Sequence, residues 1–568
     1  MKQARILWVW GISIFVVFSL AMAGCDEGNS GHGNDFGPDT GSTPFDTGST
    51  PFDTGSTPFD TGSTPFDTGD TPFDTGDISD SDTVDTDDPD TGTTPVDTDP
   101  VVIDTGSADD SDPDIALAPL LRPFDANRED LTAIDEWAPR YGKTPEIIAA
   151  AHGSELHVLA QDYDSGTEWN AVLLHIKFNG ERYQITQAIT GFPMLDRVMG
   201  LDVDDEGNRY YATGVAEDSR VDATYPPLDT WREDIVRVIK ISPQGEVLFN
   251  IDLDTARHDQ NNRAEPIINP MVAATSRLAV GGGIVGLVHG INTKPDASIN
   301  GTRHQKALST QLDAQTGAIT RIEAAWCSHS FDQRLLYDGT GITEYHLGDA
   351  YPRYIAFSRN NQNYPAFHIK GPLGENKTYT RLGNVALIEN DPTYRYLALF
   401  VTEHNANTGA DLNGARNVAI TRLSGNNNSV DDSMPDTLTV SSSGQSQTNH
   451  LRWLTHYTDE SRQHAERPKL VSLGDDTYAV LWEAWTQSTS SGYNRRHTFN
   501  GVYAMVIDAQ GETIKPAQLL TDAHHLHRGD DAFALPGRAG WITGSSENRA
   551  LYIHIVDASL NYQLYTIN

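Results

Sequence analysis

Between Ser328 and Arg353 the chain sets out Ser328-His329-Ser330-Phe331-Asp332-Gln333-Arg334, then His346, then Gly348-Asp349-Ala350-Tyr351-Pro352-Arg353. Guanidinium forks hold carboxylate or phosphate oxygens through paired, charge-assisted hydrogen bonds. If these loops converge, His329, Asp332, Arg334, His346, Asp349 and Arg353 would line a mouth suited to an anionic group. Arg467, in His464-Ala465-Glu466-Arg467-Pro468, repeats the arrangement of Arg and Pro just before an apolar strand. A second reading of the same residues is open: Asp and Arg pair with each other as structural ties. Further on, Asp522-Ala523-His524-His525-Leu526-His527-Arg528-Gly529-Asp530-Asp531 packs three histidines and three carboxylates into ten residues. On a strand His525 and His527 would share a face and, with Asp530, suit a divalent metal ion. On a loop they are near one another by accident. The sequence requires no cofactor.

Complete catalytic motifs are missing. The chain has no Gly-x-Ser-x-Gly elbow, phosphate loop, dinucleotide fingerprint or His-Glu-x-x-His. Asp162-Tyr163-Asp164-Ser165-Gly166-Thr167-Glu168-Trp169 is similar to the Asp-box turn of sialidases, with Asp162 where that box opens with Ser or Thr and Glu168 where it carries Thr. In that family the box is a structural turn, and no Arg triad or Tyr/Glu pair can be assigned here by spacing. The sequence therefore reads as a binding or scaffold module. The alternative is an extracytoplasmic hydrolase of glycan or phosphoester bonds.

The elements that must position these residues are strands. From about Pro119 short runs of Val, Ile, Leu and Tyr alternate with Gly, Asn, Asp and Pro, and no long helical periodicity occurs. The clearest unit runs Leu201-Asp202-Val203-Asp204-Asp205-Glu206-Gly207-Asn208-Arg209-Tyr210-Tyr211-Ala212-Thr213-Gly214, a strand, a tight turn and a strand. A second hairpin follows at Val238-Ile239-Lys240-Ile241-Ser242-Pro243-Gln244-Gly245-Glu246-Val247. Together they resemble a blade of bacterial β-propeller repeats of the SBBP and NHL kind. A blade cannot bury its faces alone. Matches to the second hairpin recur at His175–Gly180, Gln311–Gly317, Phe367–Gly371, Ile420–Gly425, Met505–Gly511 and His554–Ala558. With the hairpin at Lys240 they number seven, so an all-β propeller of seven blades is expected over residues 115–568, with six or eight open. The polar stretches Asn405–Gly414 and Leu423–Gln447 read as loops. A large β-sandwich would share the alternation, but a closed ring also removes exposed sheet edges. In propellers, the resemblance implies, ligands bind at the pore mouth.

The N-terminal quarter is of another kind. Lys2 and Arg5 precede an apolar run from Ile6 to Met22, which leads into Met22-Ala23-Gly24-Cys25. This resembles a bacterial lipoprotein signal, with Met22 where Leu is usual, and it implies removal of residues 1–24 and lipidation of Cys25. The other reading is an uncleaved membrane helix, for which 17 residues is the lower limit. Residues 26–114 hold 24 acidic residues and no Lys or Arg. From Asp39 the heptad Asp-Thr-Gly-Ser-Thr-Pro-Phe occurs four times, then once with Asp70 for Ser. A Pro and a Gly in every seven residues exclude helix and central strand, and isolated Phe residues cannot repay the cost of ordering. Residues 25–114 thus read as a disordered, low-complexity linker, with a reach of about 50 Å. The Asp-rich stretch Asp77–Asp90 shows no EF-hand pattern, and Thr and Ser beside Pro suit a glycosylated stalk.

The expected location is the cell envelope, anchored to membrane by lipid. Asp26 resembles the inner-membrane retention signal of enteric bacteria, whereas so long a spacer favours the outer membrane and cell surface. Residues 115–568 carry 55 acidic and 38 basic side chains. Nucleic acid and anionic lipid would be repelled, and neither is expected as a partner. An anionic glycan or a protein is the expected ligand, and the chain is read as monomeric. If Cys25 carries lipid, no disulfide can form within the chain. Cys327, in Ala324-Ala325-Trp326-Cys327, reads as a buried, inert thiol.

Overall fold

The computed structural model describes the backbone of Val101–Asp104 and, from Ile147 to Asn568, all but residues 164–168, 194–196, 215–235, 254–275, 293–304, 329–331, 348–353, 360–361, 370–379, 405–414, 426–428, 443–444, 460, 488–497, 528 and 546–549. These residues belong to one unit, Thr93–Asn568. The signal, Cys25 and most of the linker lie outside them, as do His329, Asp349, Arg353 and the side chains of Asp162 and Cys327.

The described residues form strands and no helix, arranged as seven antiparallel sheets. Each blade runs outward from an innermost strand: Ile147–His152, Arg197–Val203, Ser276–Gly281, Asp332–Tyr337, Arg381–Leu387, Gln463–Gly474 and Phe533–Leu535, for blades 1 to 7 in chain order. Consecutive blades pack face to face through apolar clusters, and blade 7 packs on blade 1. The ring is therefore closed, and the fold is a seven-bladed β-propeller.

Every blade is covered on both faces, which explains why its inner strands are apolar without interruption. In the second strand of blade 5, Tyr394–Glu403, Tyr396, Ala398 and Phe400 face blade 4 while Leu397, Leu399 and Val401 face blade 6. Alternation therefore divides apolar residues between two neighbours rather than between core and water. Each fully buried Leu or Phe contributes about 1.5–3 kcal/mol. Outer strands lose this cover, and Thr513–Leu519 is exposed throughout.

Among the described residues ring closure exchanges no strand, since blade 1 and blade 7 are each built from consecutive strands. Leu156, Val158, Leu174 and Ile176 of blade 1 meet Ile542, Leu551, Ile553 and Ile555 of blade 7, so side-chain packing joins the two ends. Between blades 3 and 4 the Tyr337 ring lies directly against the backbone of Gly281 and Gly282. A Cβ added to Gly281 would lie 2.0 Å from Tyr337 Cδ1.

A repeated turn connects the strands. Asp204, Asp508 and Asp557 each accept from the backbone N–H groups two and four residues on, at 2.8–3.1 Å. This Asx capping satisfies donors that a tight turn would otherwise strand. Both hairpins expected of blade 2 are present. Of the seven matches to the second hairpin, all but Phe367–Gly371 begin in the third strand of a blade. Phe367 instead belongs to the outermost strand of blade 4, Gln362–His368.

Two stretches differ from expectation. Leu423–Gln447, read as a loop, contains the strand Asp436–Ser442, which pairs with Gln445–Trp453 and extends blade 5 to five strands. Leu438 and Val440 supply its buried face amid Thr and Ser. Within the stretch read as linker, Val101–Asp104 pairs antiparallel with Gln187–Thr190 on the outer edge of blade 1.

Candidate functional site

Buried charge gathers where the innermost strands begin. Arg277 opens blade 3, Asp332 and Arg334 open blade 4, Lys469 lies on the innermost strand of blade 6, and Asp530 and Asp531 lead into blade 7. Arg277 grips Asp531 in a bidentate pair, Nε to Oδ2 at 2.8 Å and Nη2 to Oδ1 at 3.1 Å. Arg334 Nε stands 3.0 Å from the same Oδ1, and its Nη1 reaches Asp332 Oδ1 at 2.5 Å and the Gln333 carbonyl at 2.7 Å. Asp530 accepts from Ala149 N of blade 1 and from Asp531 N, both at 2.9 Å, while its carbonyl takes the Lys469 ammonium. Blade 7 is thereby tied to blades 3 and 4, which are not its neighbours in the ring.

The electrostatics follow from this pairing. Burial would raise Asp531, but Arg277, Arg334 and Lys469 outweigh it and hold the carboxyl well below the usual range. Asp530 is raised, because burial dominates over the distant pull of Arg277 and Asp531 adds a like charge. Burial also lowers Lys469. Arg334 is held above its ordinary value by Asp332 and Asp531 despite its burial.

A cavity of about 540 Å³ lies against this cluster on the ring axis. Its wall contains inner-strand residues of all seven blades, including Ala150, Leu201, Val280, Leu335, Val385 and Val471, with Ala534 from blade 7. Arg277, Asp530 and Asp531 lie in the same wall, as do Asp202 and Asn384. Asp202 accepts from Val203 N and from Val280 N of blade 3, and burial raises it to about 6. A register shift between Leu382 and Val385 brings Asn384 to the cavity, where its Oδ1 has no hydrogen-bond partner. Bulges of this kind re-aim side chains at ligand sites.

The residues expected to form a mouth are only partly assembled. Asp332 and Arg334 meet directly. His346 pairs in register with Gln333, so the pleat places it on the face away from Asp332 and Arg334. It is fully buried, and burial lowers it to about 4. Arg467 meets a different candidate, His525, at the buried Glu483 of blade 6: Arg467 Nη1 lies 3.1 Å and His525 Nδ1 3.3 Å from Glu483 Oε1. Leu526 N and Trp485 Nε1 also donate to that carboxylate. Burial would raise Glu483, but Arg467 and these hydrogen bonds hold it low. Arg467 takes φ 49° immediately before Pro468, at a register shift between Glu466 and Lys469. A non-glycine residue in that region is strained, and the ties to Glu483 and to the Leu526 carbonyl maintain it.

Residues 524–527 are not a strand. His525 turns to Glu483, whereas His527 Nδ1 accepts from Asp530 N at 2.8 Å. The two histidines thus serve different partners. Among the described residues, ligand atoms come together for a metal at another place, Glu155, His157 and His175 of blade 1.

Arg277 and Lys469 carry no local signal in the sequence, since each is isolated in its segment, and Asp531 stands in a His/Asp run that reads as a metal site rather than as a partner for distant arginines. Their common signal is position at or just before the apolar core of an innermost strand, visible only once blades are counted.

No protein-family model and no curated protein matches the sequence. Among solved structures, the β-propeller domain of the Trilobed protease from Pyrococcus furiosus is similar at 7% identity and a TM-score of 0.34, over 76% of this chain and 96% of that one. Trypanosoma rangeli sialidase is similar at 10% identity and a TM-score of 0.32, over 64% of this chain and 55% of the sialidase. For the α-L-arabinanase of Penicillium chrysogenum the values are 10% and 0.29, over 66% and 81%.

Proposed function

We propose that this chain is a lipid-tethered extracytoplasmic binding module, whose propeller takes a segment of glycan or protein into the axial cavity and performs no chemistry on it. The observation that carries this reading is the state of the cavity's two adjacent carboxylates. Both oxygens of Asp530 accept backbone N–H groups, and both oxygens of Asp531 are held by arginines. A hydrolase needs one carboxyl poised to give a proton and another presented to water or the glycosidic carbon. Here both act as anchors. About 540 Å³ falls within the range of small-ligand sites. The wall mixes apolar residues such as Val280, Leu335 and Val385 with Asp202, Asn384 and the already paired Arg277, Asp530 and Asp531, so an acidic ligand group would have to displace Asp531 from its arginines.

The alternative, a hydrolase, draws on one feature. Asp530 and Asp531 are neighbours whose environments push them in opposite directions, as acid and base partners require. A turnover screen of the purified protein against glycosides and phosphoesters separates the readings. Absence of turnover alongside saturable ligand retention supports the module; turnover that disappears in Asp530→Asn or Asp531→Asn overturns it.

The tether is supported by the sequence around Cys25 and by the acidic spacer after it. Cys25→Ser should leave an unlipidated precursor, and a variant that still fractionates as a mature lipoprotein would remove this part of the proposal.

A further inference from the structure

We propose that Glu155, His157 and His175 of blade 1 bind a divalent transition-metal ion of the zinc class. Glu155 and His157 are two residues apart on the second strand, Glu155–Tyr163, and therefore share a face. His175 lies on the third strand, Trp169–Phe178, as the register partner of His157. One ligand atom from each residue lies within 4.8 Å of the others. Ligands around a four-coordinate zinc stand about 2.0–2.2 Å from the ion and so roughly 3.3 Å apart. Closing that difference needs side-chain adjustment only.

The second observation is His157 itself. It is 4% exposed, and neither Nδ1 nor Nε2 has a hydrogen-bond partner. An imidazole buried in this way forfeits one donor and one acceptor, which native interiors rarely allow. Its ring lies flat against that of His175, with centroids 4.6 Å apart and planes within 7°. The two rings therefore present their edges side by side. His175 Nε2 already meets Glu155 Oε2 at 2.7 Å, and a metal ion bound by both groups would take the place of the proton they now share.

Two cations face the site and set its affinity. Lys177 Nζ lies 2.8 Å from Glu155 Oε1, but its side chain is 46% exposed and can swing into solvent. Arg209 approaches from blade 2 and is committed to Gln187 Oε1 at 2.7 Å and to the Ser242 carbonyl. His152 is the remaining titratable neighbour. Two nitrogens and one carboxylate suit a borderline cation, whereas Mg²⁺ and Ca²⁺ prefer all-oxygen shells.

The test uses the metal-stripped full chain with Zn²⁺ by titration calorimetry and Co²⁺ by visible absorption. The expected result is one equivalent of tight Zn²⁺ binding and an intense, low-symmetry Co²⁺ spectrum. His157→Gln and His175→Gln should each weaken Zn²⁺ by about tenfold or more and abolish that spectrum. His525→Ala/His527→Ala should leave both unchanged. Lys177→Met, which removes the competing ammonium, should tighten binding severalfold and keeps the proposal open to test if a histidine variant fails to fold. Absence of a one-equivalent phase, or binding indifferent to His175→Gln and Lys177→Met, would overturn the site.

Discussion

Arg277 and Asp531 join blade 3 to the approach of blade 7 through a bidentate ion pair, with contacts of 2.8 and 3.1 Å, beside the ring axis. Arg334 adds a third contact at 3.0 Å. Blades touch mainly their two neighbours, so this pair couples distant parts of the ring that apolar packing leaves independent. Asp531→Ala would leave two buried guanidinium groups short of a counter-charge, at a cost of about 3–5 kcal/mol. Urea unfolding of the variant checks this, and a loss under about 1 kcal/mol would show that the pair contributes little to closure. Arg277→Met combined with Asp531→Ala should lose less than the two single changes summed.

The ring was legible in the sequence because its turns are local. Asp204-Asp205-Glu206-Gly207-Asn208 contains its own capping carboxylate and its own left-handed glycine, φ 81°. The cross-axis cluster was not legible. Arg277 and Asp531 are separated by 254 residues, and nothing near either one announces the other. His157 and His175 were hidden for a related reason, since only strand register brings them together. The Asp436–Ser442 strand had a readable alternation at Leu438 and Val440, masked by the polar residues around it.

Gly511 should tolerate no side chain. It takes φ 78°, and an added Cβ would lie 2.3 Å from Ile420 Cδ1 and 2.8 Å from Arg452 Cδ of blade 5. Left-handed strain of about 1 kcal/mol adds to the displacement of a buried isoleucine. Gly511→Ala should therefore lower the melting temperature by several degrees. A change within 1 °C would mean that the contact between blades 5 and 6 is loose.

Closure without strand exchange places its load on side chains. Leu156 is fully buried between blades 1 and 7. Leu156→Ala should cost about 2–5 kcal/mol by chemical denaturation, in line with the removal of methyl groups from a closed site. A cost below about 1 kcal/mol would indicate that this joint relaxes.

Buried neutral histidines tie stability to pH. Burial holds His289 and His346 at about 4, below the 6.5 of a free imidazole. A histidine depressed in the folded state contributes stability that is complete above pH 6.5 and lost as pH falls toward 4. From pH 6.5 to 5 each removes roughly 2 kcal/mol. Asp202, raised to about 6, acts in the opposite sense, its contribution fading as pH rises through that value. Asp530, also raised by burial, acts in the same sense as Asp202, but burial lowers His157 and His554 as well. The four histidines together outweigh the two carboxyls, so the urea midpoint should fall between pH 7 and 5, and His289→Gln/His346→Gln should flatten the profile. A wild-type midpoint constant over that interval would contradict these assignments.

The central claim is that the axial cavity binds and does not react. Its most direct test fills the cavity: Asn384→Trp places a bulky ring where Asn384 now lines the wall. Glycan and peptide arrays are probed with wild type and variant, with circular dichroism confirming that the variant is folded. The account predicts that the wild type retains a defined set of array members and that the folded variant loses them by at least tenfold. Equal retention by both proteins would place binding elsewhere on the propeller and contradict the account.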